Sequence, residues 1–426
     1  MSWSAAELVH RHKSGESTVT ETVLDVLDRL EGLHDRIGAV AAIDQGRSLV
    51  DAARADRRLR AGQGRALEGV PITVKDWIDV AGWPVTGATG TSPGSPARCP
   101  AADATAVARL RAAGAIVVAI SSAMADNALY GPTRNPLDPA RAPGGSSSGT
   151  AALVGAGAVP LGLGSDSGGS IRLPAAWCGI AGLKPTFGRV PLTGHFPRCG
   201  ALEDGRTAIG PLAAGVRDLA IALSLIAGPD GLDAGVAPVP LGDPGAVNVT
   251  GLRVGTMAQG SGGPVAAAVR ALAEAGAVVV EEPVPDVREE ALELTRRHWR
   301  RVALSGAEHV QVLWDWDRFR RRMLAATAHL DLLITPAAQT PPPPWRESAE
   351  ADYLWTLPWS LTGAPVVVLP SGDAGDAGDA GDAGDAGDAG GWPGAVQVVA
   401  RPWEEHVALA AALRIEAARN VGNLIL

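Results

Sequence analysis

Lysine is nearly absent from this 426-residue chain. It occurs only at Lys13, Lys75 and Lys184, and arginine carries almost all the remaining positive charge. A GC-rich coding sequence produces such a bias, but it also singles out the lysines that persist. A buried lysine can lose its proton near neutrality, and an arginine cannot. Cysteine is equally scarce: Cys99, Cys178 and Cys199 are scattered and form no C-x-x-C pair. This excludes a disulfide framework and a cysteine zinc site, and it fits a reducing compartment. Long apolar runs are missing too. Residues 142–165 are uncharged but so rich in glycine, serine and proline that they cannot form a stable membrane helix. The first residues carry charge early and have no apolar segment, so no signal peptide is expected. The expectation is a soluble cytoplasmic protein without a membrane partner. The net charge of −9 disfavours a nucleic-acid partner, and six of the negative charges lie in a single repeat.

What is present is the composition of a globular chain, 46% hydrophobic and 19% charged. The pattern predicts amphipathic helices over 4–13, 17–33 and 46–60, and from residue 69 onward strands alternate with helices. Strands are expected at 69–74, 115–120, 159–163, 251–256, 277–281, 332–334, 366–369 and 395–400. Helices are expected at 104–113, 170–178, 215–227, 264–275 and 403–418, and 287–328 reads as mainly helical. The alternation predicts an α/β fold: one large domain, residues 1–426, with a mixed twisted sheet covered by helices on both faces and the helices of 4–60 packed on it. Residues 373–390 are six copies of Asp-Ala-Gly. The period is wrong for calcium-binding repeats, so residues 371–391 are expected to be a disordered low-complexity insertion without a metal.

Two glycine turns carry the chemistry. The first is Pro143-Gly144-Gly145-Ser146-Ser147-Ser148-Gly149, and the second is Gly164-Ser165-Asp166-Ser167-Gly168-Gly169-Ser170-Ile171-Arg172. Paired glycines beside serine allow a tight turn that aims bare N–H groups at one point. Such a turn suits a nucleophile and a developing oxyanion. The first turn matches G-x-S-x-G, but Pro136, Pro139 and Pro143 precede it where a nucleophile elbow needs a strand. It also lacks the lysine of a P-loop.

A serine hydroxyl needs a base. Of the eight histidines only His195 lies near the turns in sequence, just after them. The other candidate is Lys75, at the end of the apolar strand Gly69–Val74 and followed by Asp76. Burial there would lower its pKa by about 3–5 units, enough for a neutral amine to accept a serine proton. Taken alone, Lys75 reads more readily as a strand-end lysine paired with an acid.

In combination these segments resemble the amidase signature family of Ser-Ser-Lys hydrolases. The resemblance rests on Gly69-Val70-Pro71-Ile72-Thr73-Val74-Lys75-Asp76, Arg134-Asn135-Pro136, the two turns, and Gly179-Ile180-Ala181-Gly182-Leu183-Lys184-Pro185-Thr186. It runs with gaps from about residue 20 to the C-terminus, through Gly210-Pro211-Leu212, Thr335-Pro336, Gly363-Ala364-Pro365 and Gln397. The resemblance implies Lys75 as general base, Ser146 as bridging serine after a cis bond to Gly145, and Ser170 as nucleophile. It implies an oxyanion hole from the N–H groups of Ser167, Gly168, Gly169 and Ser170. Ser147, Asp166 and Arg172 are expected to brace the turns. Cys178 is expected to pack, Lys184 to be structural, and His195 to lie in a loop or at a pocket rim. No metal or organic cofactor is implied.

The chain also departs from the family pattern. Trp77 follows Lys75-Asp76 where asparagine is common, and Ala119-Ile120-Ser121-Ser122-Ala123-Met124 lacks most of the family's polar residues there. The resemblance implies that Trp355 and Trp359 lie in a segment facing the substrate channel, while by composition alone they read more readily as core anchors. The expected activity is hydrolysis of a small-molecule carboxamide. The alternatives are an esterase or aryl-acylamidase on the same residues, an amidotransferase glutaminase-type subunit, and a non-catalytic binding protein. A homodimer is compatible with this reading.

Overall fold

The computed structural model describes residues 3–87, 98–196, 204–257, 263–371, 392 and 394–422. The Asp-Ala-Gly repeat and Cys199 lie outside them. In chain order the strands are β1 (Val40–Ala42), β2 (Pro71–Lys75), β3 (Ile116–Ser121), β4 (Asp126–Asn127), β5 (Gly131–Pro132), β6 (Leu161–Asp166) and β7 (Ala181–Lys184). There follow β8 (Ala208–Ala213), β9 (Arg253–Thr256), β10 (Val278–Val279), β11 (Leu332–Pro336), β12 (Val366–Pro370) and β13 (Ala395–Ala400). Eleven of them form one sheet in the order β1-β3-β2-β6-β8-β7-β12-β13-β11-β9-β10, while β4 and β5 pair by themselves. The β3-β2-β6 and β11-β9-β10 groups are parallel, and the strands joining them through the centre are antiparallel. The sheet is therefore mixed, as expected.

Side-chain alternation divides the core between the two faces. Ile72 and Val74 of β2, Val367 and Leu369 of β12, and Val396 and Val398 of β13 pack on one face. They meet helices Thr105–Ala112, Val216–Ile226, Gly263–Glu274 and Glu405–Gly422. Val366, Val368 and Val399 pack on the other face, against Val19–Ile37, Ser148–Gly155, Arg172–Trp177, Arg288–Trp299, Gly306–Ala326 and Leu357–Thr362. Lys75 follows Val74 by one residue, so parity places it on this second face.

The two N-terminal helices start with reciprocal caps, Ser4 with Glu7 and Thr18 with Glu21. Buried acids then receive their first backbone N–H groups. Asp218 accepts from Ala5 at 2.6 Å, and Asp56 accepts from Val19 at 2.7 Å.

Strands β7 and β8 give no readable pattern in the sequence because glycine and proline interrupt them. Gly210 in β8 is required there: a Cβ on it would lie 2.1 Å from the Leu183 carbonyl oxygen of β7. The predicted 159–163 strand runs instead over Leu161–Asp166, which carries Asp166 to the start of the second glycine turn.

Candidate active site

Each part of the site is delivered by the end of a regular element. Strand β2 ends at Lys75, β6 ends at Asp166 and runs into the second turn, and the first turn runs into helix Ser148–Gly155. Lys75 is fully buried, and its Nζ is hydrogen-bonded to Ser146 Oγ at 2.7 Å. It donates to Ser165 Oγ at 3.1 Å and to the Ser165 carbonyl at 3.3 Å. The Gly145–Ser146 peptide bond is cis. The two turns are tied together because Ser147 N–H donates to the Ser170 carbonyl at 3.1 Å. Ser147 Oγ further bonds the Ser165 carbonyl at 3.2 Å and receives the Ser165 N–H at 3.3 Å. Ser170 itself is half-buried in the second turn.

The second turn is held by a buried ion pair. Asp166 and Arg172 meet at 3.0 Å with both side chains inaccessible to solvent. Burial acts against the Asp166 carboxylate, but the Arg172 charge and hydrogen bonds outweigh it and bring the group down to about 2. Asp166 also receives the backbone N–H of Gly169 at 2.7 Å and of Ile171 at 3.1 Å. Arg172 reaches across to the Thr356 carbonyl at 2.7 Å, Ser360 Oγ at 2.6 Å and Gln397 Oε1 at 3.1 Å. Asp166 and Arg172 thus link the second turn to the segments that carry Thr356, Ser360 and Gln397.

The Gly169 N–H, expected as an oxyanion donor, is instead committed to Asp166. Among the described residues no protein acceptor meets the N–H groups of Gly168 or Ser170. Gly169 serves a different purpose: at φ +129° a side chain is disfavoured, and a Cβ there would lie 2.3 Å from Thr356 Oγ1. Ser167 is tied through its hydroxyl to Thr207 Oγ1 at 2.5 Å.

Several neighbours gave no signal in the sequence. Tyr353 OH donates to the Gly145 carbonyl at 2.8 Å. The Trp299 ring lies 3.5 Å from where a Gly168 Cβ would stand, and 47% of Trp299 remains exposed, so this indole borders the second turn. The departure at Trp77 is accommodated directly, with Lys75 Nζ 4.2 Å from the centre of its ring. His195, expected in a loop or at a pocket rim, lies in a loop and is buried with Nε2 2.9 Å from Ser165 Oγ.

Cys178 is buried and its thiol is pushed up by burial, as a packing residue requires. Lys184 is buried on β7. Burial and the nearby Arg172 charge lower it to about 7, and its Nζ donates to the Pro185 carbonyl. Trp359 lies in the core of the second face, and Trp355 stacks beneath Arg288 at 4.0 Å. No cluster of metal-ligating side chains occurs among the described residues.

A buried amine bonded to a serine hydroxyl, beside a second serine in a glycine turn, is equipment for moving a proton to and from a nucleophile. The sequence profile of the Amidase family matches residues 21–303, and the chain belongs to that family. A glutamyl-tRNA(Gln) amidotransferase subunit from Roseiflexus castenholzii is 39% identical over 289 residues, covering 64% of this chain and 58% of the relative. The chain thus spans somewhat more than half the length of that relative. AtzE, a 1-carboxybiuret hydrolase subunit from Pseudomonas sp., is 32% identical over 95% of this chain and 96% of its own. Among solved structures, an inhibitor-bound complex described as vestigial and linked to the origins of an s-triazine catabolic enzyme superposes with a TM-score of 0.85. It is 28% identical over 98% of this chain and 99% of its own. A bacterial aryl acylamidase at 22% identity, with a TM-score of 0.80 over 98% of this chain and 96% of its own, shares the fold.

Proposed function

We propose that this protein is an amidase that hydrolyses a carboxamide C–N bond to a carboxylate and ammonia or an amine. Neutral Lys75 takes the Ser146 proton as Ser146 takes the proton of Ser170, and the Ser170 oxygen forms a bond to the amide carbon. Electrons on the carbonyl oxygen are held by backbone N–H groups of the second turn, Gly168 and Ser170 foremost. The relay then returns a proton to the leaving nitrogen as the C–N bond breaks. Water, deprotonated through the same relay, releases the acid from Ser170. The observation that carries this reading is the 2.7 Å contact between a buried Lys75 Nζ and Ser146 Oγ.

The test is covalent labelling with a fluorophosphonate, which phosphonylates an activated serine, followed by a panel of aliphatic and aryl amides and the matching esters. Labelling at Ser170 with amide turnover supports the proposal. A folded protein that neither labels nor hydrolyses overturns it in favour of a binding protein. Ester turnover without amide turnover favours the esterase alternative.

A second reading is favoured by two relatives that are named as subunits. In that reading the chain is the glutaminase-type subunit of a larger enzyme. It predicts that the purified chain hydrolyses glutamine only when a partner protein is added. No described helix is long and apolar enough to cross a membrane, which is compatible with the cytoplasmic location included in the proposal.

A further inference from the structure

For Lys75 to accept a proton from Ser146, its lone pair must point at that hydroxyl. An amine nitrogen with three neighbouring oxygens can place the pair toward any of them. Here the three are Ser146 Oγ, the Ser165 carbonyl and Ser165 Oγ. The carbonyl can only accept. The Ser165 hydroxyl can accept from Lys75 or donate to it, and donation would engage the lone pair needed for Ser146.

His195 stands where it can resolve that ambiguity, since an imidazole nitrogen that accepts from Ser165 Oγ keeps this hydroxyl from donating to Lys75. Its Nε2 lies 2.9 Å from Ser165 Oγ, and both side chains are buried. The placement is built into the fold, because the residues that follow Lys75 are bonded to the His195 loop. Asp79 N–H donates to the Gly194 carbonyl at 2.9 Å, Phe196 N–H donates to the Trp77 carbonyl at 2.7 Å, and Ile78 bridges His195. Trp77 meets the imidazole edge-on at 6.0 Å while its face receives Lys75 Nζ.

We propose that His195 is a positioning residue for Lys75: in the Nδ1–H tautomer its Nε2 accepts a hydrogen bond from the Ser165 hydroxyl, which turns the Ser165 oxygen toward Lys75 and leaves the amine's lone pair facing Ser146. The inference rests on the amidase reading given above. With neutral Lys75, two N–H groups are anchored on the Ser165 carbonyl and Ser165 Oγ, and the pair accepts from Ser146. When the Ser146 O–H bond breaks and a third N–H forms, each ammonium hydrogen already has its acceptor. Ser146 is reprotonated from Ser170, and nothing at Ser165 or His195 has to move. The arrangement thus costs no reorganisation at the moment of transfer.

The test is the kinetics of fluorophosphonate labelling, separating the maximal rate from the probe concentration at half-maximum. For the folded His195→Phe variant we expect the maximal rate to fall about tenfold or more, the loss of one well-placed hydrogen bond, with the half-saturating concentration within about twofold. His195→Gln, which restores an acceptor near the Nε2 position, should recover a substantial part of the rate. In a Ser165→Ala background His195→Phe should cause no further loss, because the pair acts as one unit. Unchanged labelling by His195→Phe, or an equal additional loss in the Ser165→Ala background, would overturn the inference. If His195→Phe does not fold, Ser165→Ala alone decides: wild-type labelling by that variant rejects the inference. A wild-type protein that never labels rejects the amidase reading itself, a separate outcome.

Discussion

Lys75 Nζ and Ser146 Oγ are 2.7 Å apart in the interior of the protein, although 71 residues separate them. The contact exists because β2 lies beside β6 in the sheet, and the loop and helix before β6 fold back over the end of β2.

Replacing Lys75 by arginine keeps a positive charge and removes the ability to become a neutral base. Lys75→Arg should therefore lower amide turnover at least about a hundredfold, within the range attributed to general-base catalysis. Steady-state kinetics on the best amide of the panel checks this, and near wild-type turnover would reject a neutral-lysine mechanism.

Asp166 titrates near 2 in the folded protein, below its ordinary 3.8, so its contribution to stability is complete above about 4 and is lost as pH falls toward 2. That contribution is of order 2 kcal/mol. Asp166→Asn leaves Arg172 buried without its countercharge and should cost about 3–5 kcal/mol near neutrality. Urea unfolding at pH 7 and pH 2 measures both quantities, and the variant should lose less stability on acidification than the wild type.

Lys184 behaves oppositely. Its folded pKa of about 7 lies below the ordinary 10.5, so between those values the unfolded chain holds a proton that the folded one does not. Stability tied to Lys184 therefore rises with pH in that window, by up to about 1.4 kcal/mol per unit. The wild type should gain about 2 kcal/mol relative to Lys184→Met between pH 7.5 and 9.5. Parallel unfolding midpoints for the two proteins across that range would count against it.

Trp299 borders Gly168 while nearly half exposed. Trp299→Ala should therefore leave the melting temperature nearly unchanged and alter KM for amides with bulky acyl groups more than for acetamide. A uniform change in kcat across all acyl groups would place the ring elsewhere in the reaction.

The fold class was legible because strands such as Val366–Leu369 and Val74's segment are contiguous apolar runs between helical periods. Strands β7 and β8 were not, since Gly182, Gly210 and Pro211 erase the alternation, and their place depends on close backbone approach. The glycine turns and Lys75 were legible for a related reason: a turn's geometry and a strand's end are local properties, written in adjacent residues. Asp166 and Arg172, six residues apart, belong to the same category.

The remaining site residues are joined by contacts that local pattern cannot express. Gln397 meets Arg172 across 225 positions, Tyr353 meets Gly145 across 208, and His195 meets Ser165 across 30. The Gly169 N–H looked in sequence like a spare donor, and only the folded turn directs it to Asp166. What the chain specified by itself is the set of reactive groups and the backbone able to hold them. Which hydroxyl faces the buried amine, and which imidazole orients it, was decided by sheet order and loop docking, because hydrogen bonds depend on ångström-scale placement that only the packed structure supplies.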